Sequence, residues 1–384
     1  MQILASNLPS ALDRRALVIR RVDAIPIALP LVKPVRMAAE TVTHARNILV
    51  RIEAADGTVG WGEAASAPTM TGDTLGGLTA AVRDHLGPGL IGTDAWMRPA
   101  LMKRLRAVLH GNPGAHSAVE MALIDLAGQA SGLRLIDLVG GPLRHEVAPM
   151  WLIGNATRDE DVAEAKAKAR EGIRFFKLKV GVKPLDTEIA SALAVREALG
   201  PDVPICADAN CGFSYHAARR YLEATREAGL LFLEQPFEDG DLKKLAALAR
   251  GAAVPIGADE GIHSLNDIEA HATAGVGGVS LKLIKLGGFA AALTAGALCR
   301  RLGLAINVAG KMAESSLGAA ATMHLACALD NIDWGVSLTH FYLAEDIVRV
   351  PLAMADGLVT LPGRAGLGVE IDEAAVARLR VNSL

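Results

Sequence analysis

Lys177 and Lys179 stand two residues apart in an otherwise apolar stretch, residues 175–181. Side chains alternate between the two faces of a strand, so both lysines share one face and the apolar residues between and beside them take the other. Two ammonium groups on one face of a buried strand are costly unless anions or a function compensate them. An edge strand whose lysines face water is the alternative, and this stretch alone favours neither interpretation.

Three acids, Asp208, Glu234 and Asp259, follow at the ends of successive apolar segments, roughly one strand–helix unit apart. Clustered carboxylates repel one another and cannot all stay ionised without a cation. Oxygen ligands are those that Mg²⁺ selects, so the three acids predict a Mg²⁺ site, with Mn²⁺ as a substitute. For any one of these acids taken alone, a helix N-cap or a surface charge would be the commoner explanation. Asn210 and Glu260, beside two of them, are either partners of the ligands or ordinary loop residues.

Lys282 ends a further apolar segment beyond the acids, so we expect it to face Lys179 across the metal. A partly desolvated lysine beside another cation loses proton affinity and can act as a base near neutral pH. Lys177 would supply that neighbouring charge to Lys179. We expect Lys285 on the opposite face or in the next loop, and interpret it as structural.

The elements that must position these residues begin near residue 147, where short apolar segments start to alternate with helical ones. Eight such segments predict eight parallel strands: 149–153, 175–180, 204–209, 231–235, 255–258, 278–283, 304–308 and 333–337. Nearly even spacing favours a closed α/β barrel over an open doubly wound sheet, and no GxGxxG motif follows the first strand. Barrel active sites lie at the C-terminal ends of the strands, where the lysines and acids fall.

The first part of the chain has a different pattern. Strand-like segments at 24–31, 47–54 and 58–64 predict an antiparallel meander, and residues 75–109 and 115–130 have helical spacing. We therefore predict an α+β capping domain over residues 1–145, a barrel over 146–345, and a C-terminal segment, 346–384, that returns to the capping domain.

The composition excludes several classes of function. The 384 residues include 39 basic and 42 acidic ones, well interspersed, so no nucleic-acid partner is expected. The four cysteines have neither metal-type nor disulfide-type spacing. The first residues lack the basic and apolar regions of a secretory leader, and no apolar run is long enough to span a bilayer. We therefore expect a soluble cytoplasmic protein without a membrane partner. The expected assembly is a homo-oligomer.

In this order, the motifs resemble the enolase superfamily, specifically its muconate-lactonizing, mandelate racemase-like subgroup. The matching motifs are Lys177-Leu178-Lys179, Asp208-Ala209-Asn210, Glu234-Gln235-Pro236, Asp259-Glu260 and residues 119–126, 138–141 and 281–288. The resemblance implies a (β/α)7β TIM-like barrel closed by a capping domain, with Mg²⁺ held by the three acids. It implies Lys179 and Lys282 as acid/base catalysts on opposite faces of the substrate, and Glu314 resembles a strand-seven acid of that family.

The chemistry that the resemblance implies is abstraction of the proton α to a carboxylate through an ene-diolate, on a small carboxylate or amino-acid derivative. Racemisation, epimerisation or cycloisomerisation would follow. A dehydratase with the same site is the first alternative. A Schiff-base aldolase using Lys179 and a non-catalytic binding barrel are the others.

The last predicted strand departs from relatives. It lacks the Asp-x-Asp motif with which dipeptide epimerases hold an α-ammonium group, and Gly335 occupies that region instead. Val336 and Ser337 lie near the position where muconate cycloisomerases have an acid. The candidate specificity residues are Arg36, Met37, Met70, Trp151 and His340. Arg36 could bind a second substrate anion or pair with Glu40, and His340 could polarise a substrate group or be an ordinary rim residue.

Overall fold

The structure is a computed structural model that describes residues 16–36, 41–154, 156–238 and 241–382. A three-stranded antiparallel sheet comes first, in the order β1 (Ile19–Arg36), β2 (Thr41–Ala54) and β3 (Val59–Ala65). Gly57, in the turn between β2 and β3, has a φ of 88°, which a residue with a Cβ rarely adopts. The predicted meander is thus observed.

Helices cover this sheet. They are α1 (Leu75–Ala80), which continues as a π-helical turn (Ala81–Leu86), a 3₁₀ turn (Ala95–Met97), α2 (Arg98–Val108), α3 (Pro113–Ser131) and α4 (Leu135–Leu138). The single helical stretch expected over residues 75–109 is therefore broken into pieces, because Gly87-Pro88-Gly89 interrupts it. The α3 helix is buried along most of its length and packs on β3.

Eight parallel strands form a closed barrel. In sheet order they are β5 (Trp151–Ile153), β6 (Phe176–Lys179), β7 (Ile205–Asp208), β8 (Leu233–Glu234), β9 (Ile256–Ala258), β10 (Gly278–Leu281), β11 (Ala305–Ala309) and β12 (Val336–Ser337). Pro149 bridges to Val336, and the Met150 N–H donates to the Val336 carbonyl at 2.8 Å, which joins the first strand to the last. The predicted barrel is confirmed, and the open sheet is excluded.

A helix occupies every interval between these strands. The helices are α5 (Arg158–Arg170), α6 (Leu185–Leu199), α7 (Tyr215–Ala224) with a 3₁₀ turn (Arg226–Ala228), α8 (Leu242–Gly251), α9 (Leu265–Thr273), α10 (Leu283–Leu286), α11 (Phe289–Leu302) and α12 (Ser316–Ala328). None of the described helices is long and apolar enough to cross a membrane.

An apolar plug fills the N-terminal half of the barrel. Its members are Met150, Phe175, Cys206, Phe232 and Trp334, with the Phe232 and Trp334 rings stacked at 3.9 Å. The strand period of two places the next inward-facing residues nearer the C-terminal mouth. Those positions include Lys177, Asp208 and Glu234, so the plug supports a layer of charged side chains from below.

The C-terminal segment contacts both parts of the chain. After a 3₁₀ turn (His340–Tyr342) it forms β13 (Val359–Thr360), which pairs with β4 (Glu146–Val147), and α13 (Glu373–Leu379), which packs on β1. The buried carboxylate of Asp125 on α3 accepts from the N–H groups of Trp61 and Leu367, both at 2.8 Å. These hydrogen bonds connect α3 to the antiparallel sheet and to the C-terminal segment. The boundaries of the three predicted domains stay a prediction.

Candidate active site

A cavity of about 260 Å³ lies at the C-terminal mouth of the barrel. Its volume is near the lower limit for ligand pockets, which suits a small substrate. Its wall includes the three predicted acids and three predicted lysines, Lys177, Lys179, Asp208, Glu234, Asp259 and Lys282. The structure therefore brings together residues that are up to 105 positions apart in the chain.

Each of the three acids is ion-paired with a lysine. Lys179 Nζ donates to Asp208 Oδ2 at 2.6 Å, since β6 and β7 place these two residues directly opposite each other. Lys177 Nζ donates to Glu234 Oε2 at 2.5 Å. Lys282, directly after β10, donates to Asp259 Oδ2 at 2.5 Å. The ammonium groups on β6 are compensated inside the barrel, and the exposed edge strand considered above is excluded.

Two polar residues beneath the acids, Ser280 and Asn307, were not predicted to belong to the site from the sequence. Ser280 Oγ donates to Glu234 Oε1 at 2.9 Å, and Lys177 Nζ lies 3.4 Å from Asn307 Oδ1. Asn307 in turn donates to the carbonyl of Gly335 at 3.0 Å. Both residues occupy inward positions of β10 and β11, so strand parity could have identified them. The network fixes the Lys177–Glu234 pair in one orientation.

Lys285 was expected on the opposite face or in a loop, and the structure corrects that expectation. Its ammonium is fully buried and donates to Asp259 Oδ1 at 2.7 Å, to the Asp259 carbonyl and to the Ser280 carbonyl at 2.9 Å. The reason is the short helix α10, which turns the chain inward directly after Lys282. Asp259 is thus held by two lysines.

Contact with carboxylates raises the pKa of two buried lysines of the cluster, Lys177 and Lys282. Burial alone would lower the pKa of Lys177, but the Glu234 and Asp208 carboxylates raise it well above its ordinary value. Burial is likewise outweighed for Lys282, whose pKa is raised by Asp259. For Lys177 and Lys282, attraction to the carboxylates therefore outweighs both burial and repulsion from other lysines. For Lys285, burial and the nearby Lys282 charge outweigh the attraction to Asp259, and its pKa is lowered.

Among the acids, burial and the two neighbouring carboxylates raise the pKa of Glu234 in spite of Lys177. Burial would also raise the pKa of Asp259, but Lys282 and Lys285 hold it well below its usual range. The acids are therefore close enough to repel one another, and the neighbouring lysines oppose that repulsion.

Asn210 and Glu260 both line the cavity and connect two parts of the cluster. Asn210 Oδ1 accepts from Lys179 Nζ at 2.8 Å, and its Nδ2 donates to Glu260 Oε1 at 2.9 Å. Burial and the nearby Asp259 and Asp208 raise the pKa of Glu260 to about 7. Asn210 and Asp208 thus orient Lys179 together.

Of the candidate specificity residues, Met70 lies in the cavity wall, with its sulfur 3.8 Å from Lys282 Nζ. Glu314 is buried just behind the wall, where its carboxylate accepts from the Lys311 N–H at 3.0 Å. Burial and the nearby Glu63 raise the pKa of Glu314 to about 8. Met37 and the side chain of Arg36 lie outside the described residues.

The structure places Trp151 and His340 away from the cavity wall. Trp151 Nε1 donates to Glu164 at 3.0 Å, and its ring packs on Tyr342 at 4.8 Å. His340 Nε2 lies 2.9 Å from the Leu352 carbonyl, and its ring is buried. Trp151 faces outward because inward and outward positions alternate along β5, where Leu152 takes the inward position. His340 lies beyond β12, in the 3₁₀ turn.

Glu63 on β3 fastens the capping sheet to the barrel. Its buried carboxylate accepts from Asn47 Nδ2 at 2.6 Å, from the Ser315 N–H and hydroxyl, and from the Gly318 N–H at 2.9 Å. The last three donors lie at the N-terminus of α12, where a negative charge is favourable. Glu63 was not recognised in the sequence because an acid in a strand has no distinguishing pattern.

We expect Glu63→Ala to lower the free energy of unfolding by about 2–4 kcal/mol, because it leaves several buried donors without an acceptor. Urea unfolding followed by circular dichroism measures this. Glu370→Ala is the control, since Glu370 pairs with arginines on the surface. Equal losses for the two variants would contradict the assigned role of Glu63.

No group of three or more His, Cys, Asp and Glu side chains that could hold a metal ion is found in the described residues. Asp208, Glu234 and Asp259 each direct a carboxylate oxygen to a lysine instead. Their chemistry nevertheless fits a hard divalent cation, because all three offer only oxygen atoms to one cavity.

The fold and the site together define a class: enzymes with a (β/α)7β barrel, a capping sheet and a lysine–carboxylate cluster at the barrel mouth. Residues 21–140 match the mandelate racemase / muconate lactonizing enzyme N-terminal domain, and residues 160–375 match the enolase C-terminal domain-like family. The chain belongs to the muconate-lactonizing branch of the enolase superfamily and is an isomerase, as the motifs predicted.

Its relatives differ in their reactions. It is 31% identical to an L-Ala-D/L-Glu epimerase of Bacillus subtilis, covering 91% of this chain and 96% of the relative. It is also 31% identical to muconate cycloisomerase 1 of Pseudomonas putida, covering 94% and 98% of the two chains. The solved structure of an N-succinyl Arg/Lys racemase from Bacillus cereus superposes with a TM-score of 0.90 at 25% identity, covering 95% and 98%.

Proposed function

We propose that this isomerase racemises or epimerises a small carboxylate by moving the proton on the carbon α to the carboxyl group. The observation that carries the proposal is the position of Lys179 and Lys282. Both line one cavity, yet β6 and the end of β10 lie four strands apart in an eight-stranded barrel. Two bases half a circumference apart can reach opposite faces of one carbon atom.

The residues have distinct roles in this mechanism. Either lysine removes the α-proton when it is in its neutral form, and the ammonium group of the other returns a proton to the opposite face. Asp208 and Asn210 orient Lys179 by accepting from its Nζ at 2.6 and 2.8 Å. Asp259 orients Lys282 in the same way. Lys177, held by Glu234 deeper in the barrel, adds a fixed positive charge beneath the reacting carboxyl group.

Asp208, Glu234 and Asp259 would hold a divalent cation, Mg²⁺ or in its place Mn²⁺. Such an ion supplies positive charge that stabilises the ene-diolate form of the substrate. Two features support this assignment: the acids lie at the ends of three consecutive strands, and burial together with the neighbouring carboxylates raises the pKa of Glu234.

Cycloisomerisation is the second candidate, because the chain is similar to muconate cycloisomerase 1 over nearly its whole length. A dehydratase would use the same first step and then expel a β leaving group. A Schiff-base aldolase would use Lys179 without the acids.

Proton exchange in D₂O, followed by NMR over a panel of chiral carboxylates, tests the proposal. We expect substrates to gain deuterium at Cα and lose optical activity, with both changes stopped by EDTA and restored by Mg²⁺ or Mn²⁺. A dehydratase would instead consume its substrate and form a keto or unsaturated acid, and a cycloisomerase would form a ring. Full activity in EDTA, together with borohydride trapping on Lys179, would replace the proposal with the aldolase.

A further inference from the structure

The loop that follows the capping sheet brings a methionine sulfur into contact with one of the two proposed bases. Met70 lines the cavity and is partly exposed, and Lys282 Nζ donates a weak hydrogen bond to its Sδ at 3.8 Å. The same ammonium group donates to Asp259 Oδ2 at 2.5 Å. Lys282 is therefore held between a carboxylate of the barrel and a thioether of the capping domain.

Backbone and side-chain hydrogen bonds fix the loop that carries Met70. The Met70 N–H donates to the Ala67 carbonyl at 3.0 Å, and the Ala67 N–H donates to the Asp73 carbonyl at 2.8 Å. The buried Asp73 carboxylate accepts from the Gly114 N–H at 3.0 Å, where α3 begins. Because the loop is closed on itself and anchored to α3, the Met70 sulfur is presented to Lys282 in a defined position.

Among the residues that the structure describes, Met70 is the methionine that combines access to solvent with a place in the site. Met312 also lines the cavity but is only 7% exposed. Met97 is 56% exposed, and it lies in the 3₁₀ turn before α2, outside the cavity. An oxidant in solution can reach the sulfur atoms of Met70 and Met97, and of these two it is Met70 that contacts Lys282.

We propose that Met70 is a redox-sensitive modification site that controls Lys282: peroxide converts its thioether to a sulfoxide, and the new oxygen binds the Lys282 ammonium group. In this step the peroxide O–O bond breaks, one oxygen atom bonds to sulfur, and the other leaves as water. The thioether loses two electrons and the peroxide gains them. Thioether sulfur is a weak acceptor, whereas the hydrogen bond from an ammonium group to a sulfoxide oxygen is charge-assisted and strong.

The expected consequence is a loss of activity on one face of the substrate. With Asp259 on one side and the sulfoxide on the other, the Lys282 ammonium group is held away from the α-carbon. The added oxygen also takes up room in a cavity of about 260 Å³. Lys179 approaches from β6 and has its own partners, Asp208 and Asn210, so its reaction should be affected much less. This inference rests on the proposed two-lysine chemistry.

Treatment of the purified enzyme with hydrogen peroxide tests the proposal. Peptide mass spectrometry measures sulfoxide at Met70, and deuterium exchange at Cα in Mg²⁺ is followed for each enantiomer of an accepted carboxylate. Lys282→Ala identifies the enantiomer whose exchange depends on Lys282. We expect oxidation of Met70 to slow exchange of that enantiomer by at least about tenfold, and exchange of the other by less than about threefold.

Reversal of the modification separates Met70 from the thiol of Cys211, which also lines the cavity. Dithiothreitol alone reduces a cysteine sulfenic acid, whereas methionine sulfoxide needs methionine sulfoxide reductase. We therefore expect the reductase to restore the exchange rate and dithiothreitol alone to leave it low. Recovery in dithiothreitol alone would assign the loss to Cys211 and overturn the inference.

Two variants control the experiment. Met70→Leu has nearly the same side-chain volume and no sulfur, so each of its exchange rates should be the same before and after peroxide. Met97→Leu keeps Met70 and should lose the Lys282-dependent exchange as the wild type does. The inference would be wrong if Met70 stayed reduced while Met97 was oxidised, if oxidation of Met70 slowed both enantiomers equally, or if peroxide inactivated Met70→Leu as much as the wild type.

A crystal structure of the peroxide-treated enzyme gives a readout that does not depend on activity. The sulfoxide oxygen of Met70 should lie roughly 2.7–3.2 Å from Lys282 Nζ, and a separation beyond hydrogen-bond distance would contradict the inference. An untreated enzyme that exchanges no member of the carboxylate panel would remove the proposed function, and this distance would still decide whether the sulfoxide holds Lys282.

Discussion

We expect Lys179→Ala to slow α-proton exchange by about 10²–10⁴-fold for one enantiomer of a substrate and to spare exchange of the other. Lys282→Ala should show the converse selectivity. Both variants should abolish racemisation, since inversion needs one lysine to remove a proton and the other to return one. NMR in D₂O with each pure enantiomer, run beside polarimetry, measures exchange and inversion separately.

The expected selectivity follows from the barrel geometry. Lys179 approaches the cavity from β6, and Lys282 from the end of β10, with the strands that carry the three acids between them. A carboxylate held near those acids therefore presents one face of its α-carbon to each lysine. Each single variant keeps the base for one face, so a loss for both enantiomers is not expected.

Two controls make the test specific. Lys244→Ala removes a half-exposed lysine of α8 that pairs only loosely with Asp241, at 3.7 Å, and should leave both rates unchanged. Lys179 and Lys282 both pair with buried acids, so either substitution can also destabilise the fold. Thermal unfolding of each variant shows whether activity is lost because the base is missing or because the protein is unfolded. Equal losses for the two enantiomers in folded Lys179→Ala would contradict the two-base arrangement.

Strand parity and strand ends made the layer of charged residues at the barrel mouth predictable from sequence. Lys177 and Lys179 share a face because they are two apart, and Asp208, Glu234 and Asp259 converge because parallel strands end at one edge. The same rule accounts for Ser280 and Asn307. Polar residues at inward positions of predicted strands are therefore expected to form hydrogen bonds with the charged side chains of the same layer.

Other features depended on geometry that no local pattern encodes. Lys285 reaches Asp259 only because α10 turns the chain immediately after β10. Trp151 lies one position out of register with Leu152, which lines the cavity. His340 lies beyond the two-residue strand β12, in a 3₁₀ turn whose side-chain directions strand alternation does not predict. Glu63 could not be assigned because its partners lie about 250 positions away in the chain.

A second large effect is expected on stability, at the Lys177–Glu234 pair. The side chains are 4% and 2% exposed, so removing one partner leaves a buried charge with less compensation. We expect Glu234→Gln, measured without metal, to lower the free energy of unfolding by about 3–5 kcal/mol. Lys177→Met should cost a similar amount, because the buried Glu234 then loses its compensating cation beside Asp208 and Asp259, which already repel it.

The double variant Lys177→Met/Glu234→Gln should recover much of this loss, since it removes both charges and leaves the amide to accept from Ser280. Urea unfolding of all four proteins gives the coupling energy as a double-mutant cycle. The exposed Arg220–Asp186 pair, 60% and 76% exposed, is the control cycle, with coupling expected near zero. A coupling near zero at Lys177–Glu234 as well would mean that Asp208 and Asn307 suffice to hold Lys177, and that Glu234 serves the cation alone.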